Sequence, residues 1–329
     1  MSNNSVLFAL EEEFYPINRD YYFAAIQNEI SMSIALIPNL YFLYAILAST
    51  AFKNRQILKR TVLVFNILNI ICIVTSLALF TFYLSVYHNE GLINVNICFY
   101  IRSIQGIFLT FLVTIPLFFT VERYFILISR NKLQKCIAFA ASIFFHFPSF
   151  MSFYTTFFQS DIKWVPDEIC ALTKSPASST VSQITGFMHY FVLVVPLIVG
   201  IINFFMIKRL NSQVSTSPNS KSNQNENKTI FINLIIQTLQ PFFGQWPSTL
   251  FFFYLKSTGH NIYIVWRILD GLTAFSLVSN ILFSIIFIKD IRNTVFKRTS
   301  NIVVNKVTNV VTIKTDNTFK FNQQKSLVV

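Results

Sequence analysis

The chain has 329 residues, of which 53% are hydrophobic, 16% aromatic and only 12% charged, with a mean hydropathy of +0.53. Soluble domains carry about 25% charge, so this balance speaks against a water-soluble enzyme, and 38 Phe against seven Gly exclude collagen-like, linker-like and disordered chains. The net charge of +12 invites a nucleic-acid reading, but the Lys and Arg lie between long apolar runs, where they first report membrane topology.

A bilayer core about 30 Å thick needs roughly 20 apolar helical residues. Seven such runs lie between polar clusters: Gln27 to Phe52, Thr61 to Tyr87, Ile97 to Leu127, Cys136 to Phe158, Ile184 to Ile207, Thr229 to Leu255 and Ile262 to Ile288. The expected fold is all-α, a seven-transmembrane helix bundle over 27–288 between an N-terminal segment 1–26 and a tail 289–329. Basic residues crowd one set of connecting segments: Lys53, Arg55, Lys59 and Arg60; Arg130, Lys132 and Lys135; Lys208, Arg209, Lys221 and Lys228; and the tail. The other set holds Arg19, Lys163, Lys174 and Lys256. The positive-inside rule therefore places the N-terminus outside and the C-terminus inside, with anionic inner-leaflet lipid as a secondary partner of the basic face.

In chain order, the first segment carries Glu11, Glu12, Glu13 and Asp20 and no basic n-region, so no cleavable signal peptide is visible. Asn3-Asn4-Ser5 makes Asn3 either an external glycosylation acceptor or an unused sequon. Cys98, at the outer start of span three, and Cys170, in the outer loop after span four, both face the oxidising side, where a bond between them is expected against the alternative of two unpaired thiols. Cys72 and Cys136 read as free thiols. Span three ends in Glu122-Arg123-Tyr124, 25 positions beyond Cys98, which is roughly 37 Å of helix or one membrane crossing. Asn211 to Lys228 is a polar cytoplasmic loop. After span seven, Lys289, Arg292 and Phe296-Lys297-Arg298 alternate with Ile291 and Val295, the spacing of a short amphipathic helix on the inner leaflet.

Together the seven spans, the external N-terminus, Cys98 with Cys170, and Glu122-Arg123-Tyr124 resemble the rhodopsin-like G protein-coupled receptors over about Gln27 to Arg298. The wealth of Phe and the Gln237-Thr238-Leu239-Gln240-Pro241 run followed by Pro247 look like the nematode serpentine chemoreceptors. The resemblance implies a chemosensory receptor of the plasma membrane or a sensory cilium, which binds an external ligand and activates a heterotrimeric G protein. By the same resemblance Arg123 is the switch residue, restrained by Glu122 and freed to meet the G protein. The sequence departs from the family's pattern in four places. Span two has no acid, span four lacks the usual Trp, span seven keeps Asn280 but reads Asn280-Ile281-Leu282-Phe283-Ser284 where the family has Pro and Tyr, and Trp246 and Pro247 are adjacent. The rival readings are a seven-span ligand-gated channel or transporter, and a peptide-type receptor.

Ionisable groups within spans are costly and so point to function. Arg267 and Asp270, three apart on span seven, either line a polar cavity open to the outside or neutralise one another as a structural pair. Cys98, Arg102 and Gln105 share one stripe of span three. By resemblance Gln105 stands where amine receptors hold an acidic counter-ion, which disfavours a small amine, and Asp270 matches a ligand-contacting position. His189 and Tyr190 in span five and Gln245 and Trp246 in span six are further pocket candidates, each also explicable by packing between helices. The four His are scattered, and no Cys-x-x-Cys, phosphate-binding Gly loop or nucleophile elbow occurs. Neither a metal, a cofactor, a nucleic-acid partner nor an enzymatic activity is expected.

Overall fold

A computed structural model describes residues 14–48, 56–89, 91–128, 162–176, 179–214, 239–258, 262–287 and 291–293, with isolated positions between 137 and 154 and between 232 and 236. In chain order these form β1 (Phe14–Pro16), a 3-10 turn (Arg19–Tyr21), α1 (Tyr22–Leu47), α2 (Gln56–His88), β2 (Leu92–Asn94), α3 (Val95–Ile128), β3 (Ile162–Asp167), β4 (Ala171–Pro176), α4 (Ser179–Val214), α5 (Gln245–Thr258) and α6 (Tyr263–Phe287).

Among the described residues five segments, Arg19–Leu47, Leu58–His88, Val95–Phe125, Tyr190–Arg209 and Tyr263–Phe287, are long and apolar enough to cross a bilayer, so the chain is a mostly helical, multi-pass membrane protein. Their outward faces carry the apolar side chains that lipid tolerates, such as Phe23 at 81% exposure and Ile37 at 70%. The described positions inside the fourth expected span, including 140, 147 and 150, are helical apart from a turn at His146, and its remaining residues lie outside the described ones. In the sixth, the helical turn at 239–243 stops at Gly244 and α5 resumes at Gln245. Pro241 and Pro247 flank that break, each removing a backbone donor from the helical ladder. The first helix starts at Tyr22 rather than Gln27. Asn18 accepts from the Asp20 amide and opens the 3-10 turn that leads into it, so the polar residues before Gln27 organise the start of the helix instead of forming a separate loop.

The core lies between α1, α2, α3 and α6 and includes Phe42, Phe65, Ile73, Tyr83, Phe119 and Leu277. A ladder of amides runs through it. Asn39 donates to the Ala35 and Leu277 carbonyls (2.8 and 3.3 Å), Asn66 donates to Asn39 (3.1 Å), and Gln240 donates to Asn69 (3.0 Å). In an apolar environment these bonds satisfy groups that would otherwise carry their full desolvation cost, and they fix the rotation of three helices together. Asn280, the residue singled out in span seven, is buried beside Asn66, Asn69 and Ser284 around a small internal cavity.

Two small antiparallel sheets sit at the end of the bundle where α1 and α3 begin. β1 pairs with β2 (Tyr15 opposite Ile93), and β3 pairs with β4 from Ile162–Pro176 to Asp167–Ala171. Hydropathy alone announces neither sheet. The turn of the β3–β4 hairpin is tight, with Ala171 at φ 61°, a left-handed conformation that costs a side-chain-bearing residue free energy and needs surrounding support.

Candidate functional site at the strand end

That support comes from a covalent bond. Cys98, one turn into α3, is bonded to Cys170, the residue before Ala171, with Cα atoms 5.5 Å apart, inside the limit of about 7 Å for a bridge. Both are fully buried against Leu79 and Ile93, with Tyr15 and Ile17 packed over them. The expected pairing is thus present, and it ties the hairpin to the head of α3.

Asp167 builds the turn from within. Its Oδ1 accepts from the amides of Ile169 and Cys170, both at 2.9 Å, and its Oδ2 is ion-paired to Arg102 of α3. An Asp that bonds backbone two and three residues ahead is a turn-forming device, and here the guanidinium completes its shell. Arg102 is therefore committed to the hairpin.

The neighbouring Glu168 reaches the other arginine. Arg267 of α6 is ion-paired to Glu168 and stands 3.6 Å from Asp270. Its guanidinium lies over the Tyr21 ring, 4.8 Å from the centroid, and its carbonyl accepts from Gln27 at 3.3 Å. Asp270 accepts from Asn28 of α1 at 3.0 Å, and Asn28 also donates to the Tyr21 hydroxyl. The anticipated Arg267–Asp270 pair is thus a looser contact within a larger cluster, because Glu168 offers the guanidinium a closer carboxylate from the hairpin. Burial pushes the Glu168 carboxyl above its usual range, against the lowering influence of Arg267.

The cluster decides what a charge swap at this pair would do. With Arg267→Asp and Asp270→Arg together, the acid introduced at 267 would face Glu168, and like charges at that spacing repel. Surface delivery of the double variant is expected to fall below that of Arg267→Gln, and adding Glu168→Lys is expected to recover it. Antibody labelling of intact cells reads the result, and delivery at the parent level for the double variant would mean that Glu168 does not face position 267.

Three other candidates have different partners. Gln105 donates to Ser76 of α2 at 2.7 Å, an interhelical bond. Tyr190 is 57% exposed and stacks on Phe253 at 4.8 Å, on the seam between α4 and α5. Trp246 packs against Phe242 at 4.6 Å. His189 and Gln245 lie on α4 and α5, with side chains outside the described ones, and Asn3, Cys136 and the tail beyond Asn293 also lie outside the described residues. Residues 291–293 are helical with Ile291 buried. Among the described residues no cluster of His, Cys, Asp and Glu could hold a metal.

At the opposite end of α3, Glu122 is ion-paired to Arg60 of α2, Arg123 is buried at 4% exposure, and Tyr124 is exposed with its ring against Phe125. Glu122, expected to restrain Arg123, has its carboxylate engaged by a neighbouring helix, because the Arg60 side chain reaches across to it. No protein-family model matches the chain, and comparison with curated proteins finds no match.

Proposed function

We propose that the chain is a chemosensory receptor of the rhodopsin-like G protein-coupled class, with seven spans, an external N-terminus and a cytoplasmic C-terminus. The observation that carries this reading is the make-up of α3. One end is bonded through Cys98 to the hairpin turn at Cys170, and the other carries Glu122-Arg123-Tyr124 with Arg123 buried. Cys98 and Arg123 are 25 residues apart on this one helix, about 37 Å of rise, which is long enough to put the two features on opposite sides of a bilayer. An external ligand acting on the hairpin cluster would then bias an inactive-to-active equilibrium that a heterotrimeric G protein reads at the far end.

Guanine nucleotide exchange in reconstituted bilayers tests the reading, and single-channel conductance without exchange would favour the channel instead. In the exchange assay Arg123→Ala is expected to lose activity. The Arg60–Glu122 pair is partly exposed and is worth at most about 1 kcal/mol, so Glu122→Gln and Arg60→Gln are each expected to raise basal exchange by no more than about fivefold. The two together should add little to either alone. Full exchange by Arg123→Ala would remove it from the switch.

A further inference from the structure

We infer that Arg267 anchors a carboxylate-bearing ligand, and that Glu168 occupies the anchor in its absence as a stand-in tethered by the hairpin. The inference rests on the receptor reading above and names the ligand class of that receptor.

The two arginine–acid pairs of the cluster are built differently. Asp167 holds Arg102 and two backbone amides at once, so removing it would undo the turn. Among the described residues Glu168 has a single partner, Arg267, so its departure breaks one ion pair and leaves the hairpin intact. Both members of that pair are reachable from solvent, with side chains 19% and 21% exposed.

Arg267 is held in place without Glu168. Its guanidinium rests on the Tyr21 ring, and Asp270 at 3.6 Å is itself fixed by Asn28. The planar fork therefore stays oriented when Glu168 leaves, and an incoming carboxylate meets donors already in position. The exchange is also balanced in charge, because one carboxylate replaces another against the same guanidinium. An amine is less well served, because Asp167, Glu168 and Asp270 each already accept from an arginine or amide, and a cation would have to share a carboxylate with those donors.

A tethered competitor reduces apparent affinity by the fraction of time it leaves the anchor open. Removing its charge should therefore strengthen ligand binding, whereas removing a ligand-contacting residue should weaken it. The test uses the full chain in lipid nanodiscs, with butanoate, butanamide and butylamine as probes, and reads the thermal unfolding midpoint against probe concentration. Butanoate is expected to stabilise the protein and the two other probes to leave it unchanged. Glu168→Gln is expected to lower the half-saturating butanoate concentration, by roughly tenfold if the anchor is open one-tenth of the time. Arg267→Gln should lose the response while Arg102→Gln, if it folds, keeps it.

Butanoate binding seen only in Glu168→Gln would also support the stand-in, as a competitor that is nearly always seated. No butanoate effect in either protein, an equal response to butanamide or butylamine, a response surviving Arg267→Gln, or weaker binding by Glu168→Gln would each overturn the inference. Nucleotide exchange in the same nanodiscs separates the two claims. Exchange without carboxylate binding removes only the ligand class, and carboxylate binding in a protein that conducts ions and catalyses no exchange removes only the receptor reading.

Discussion

Replacing Cys98 or Cys170 with Ala is expected to remove most of the protein from the cell surface, and replacing both is expected to do no more than either alone. The bridge closes a loop with a sequence separation of 72, for which the chain-entropy relation gives about 4 kcal/mol. That figure is an upper bound here, because helices already inserted in the bilayer are less free than a soluble unfolded chain. A second contribution comes from what the bridge holds in place. Ala171 adopts φ 61° directly after Cys170, and the Asp167 and Glu168 carboxylates meet Arg102 and Arg267 only while the turn is seated. Losing the tether frees the strained residue and both ion pairs together, so the effect should exceed that of neutralising either acid. Alanine is the informative replacement, because a serine hydroxyl in this fully buried site would add a desolvation cost of its own. Surface biotinylation quantifies delivery. Losses that add in the double variant would show that the two residues act separately, which a single shared bond does not allow.

The bridge itself is legible in the sequence, because the distribution of basic residues puts both thiols on the expected outer side, where an oxidising environment lets a bond persist. Most of the long helices were equally legible, since apolar length is a strong signal in a chain that carries so few charges. The cluster around Arg267 was only half visible. Its members on the helices, Arg102, Arg267 and Asp270, stand out as ions inside apolar runs. Asp167 and Glu168 do not, because charges in a polar loop are unremarkable and only the hairpin turn brings them back over the bundle. One signal was available, as Asp167-Glu168-Ile169-Cys170 puts an Asx-turn former three residues before a bonded cysteine. Arg60 was missed for a related reason. In the sequence it is one of several topology-setting basic residues, and nothing in linear order tells which of them reaches Glu122 on another helix.

Gly244→Ala is expected to destabilise the bundle even though alanine is the better helix former, and Ser276→Gly is expected to rescue it. A Cβ built on Gly244 would lie 2.8 Å from the Ser276 Cβ and closer still to its Oγ. Carbon atoms prefer about 3.5 to 4.0 Å, so the Ala methyl forces the helices apart. The hydroxyl can rotate, at the expense of its 2.7 Å bond to the Thr273 carbonyl, but the Ser276 Cβ is fixed to the α6 backbone. Overpacking of this kind costs about 1 to 3 kcal/mol, against the 0.5 to 1 kcal/mol or so that alanine gains over glycine in a helix. The clash therefore wins. Ser276→Gly removes both offending atoms at the cost of a weaker helix former, so alone it should be mildly destabilising, and in the double variant it should return stability close to that of Ser276→Gly. Thermal unfolding of the four proteins in one detergent forms a double-mutant cycle, and a coupling energy of about 1 kcal/mol or more is the expected result. Gly244 also marks the break before α5, between Pro241 and Pro247, so the close approach pins α5 to α6 at the point where the backbone ladder is weakest. Additive effects in the cycle, or a Gly244→Ala protein as stable as its parent, would mean that the two helices do not meet at this point.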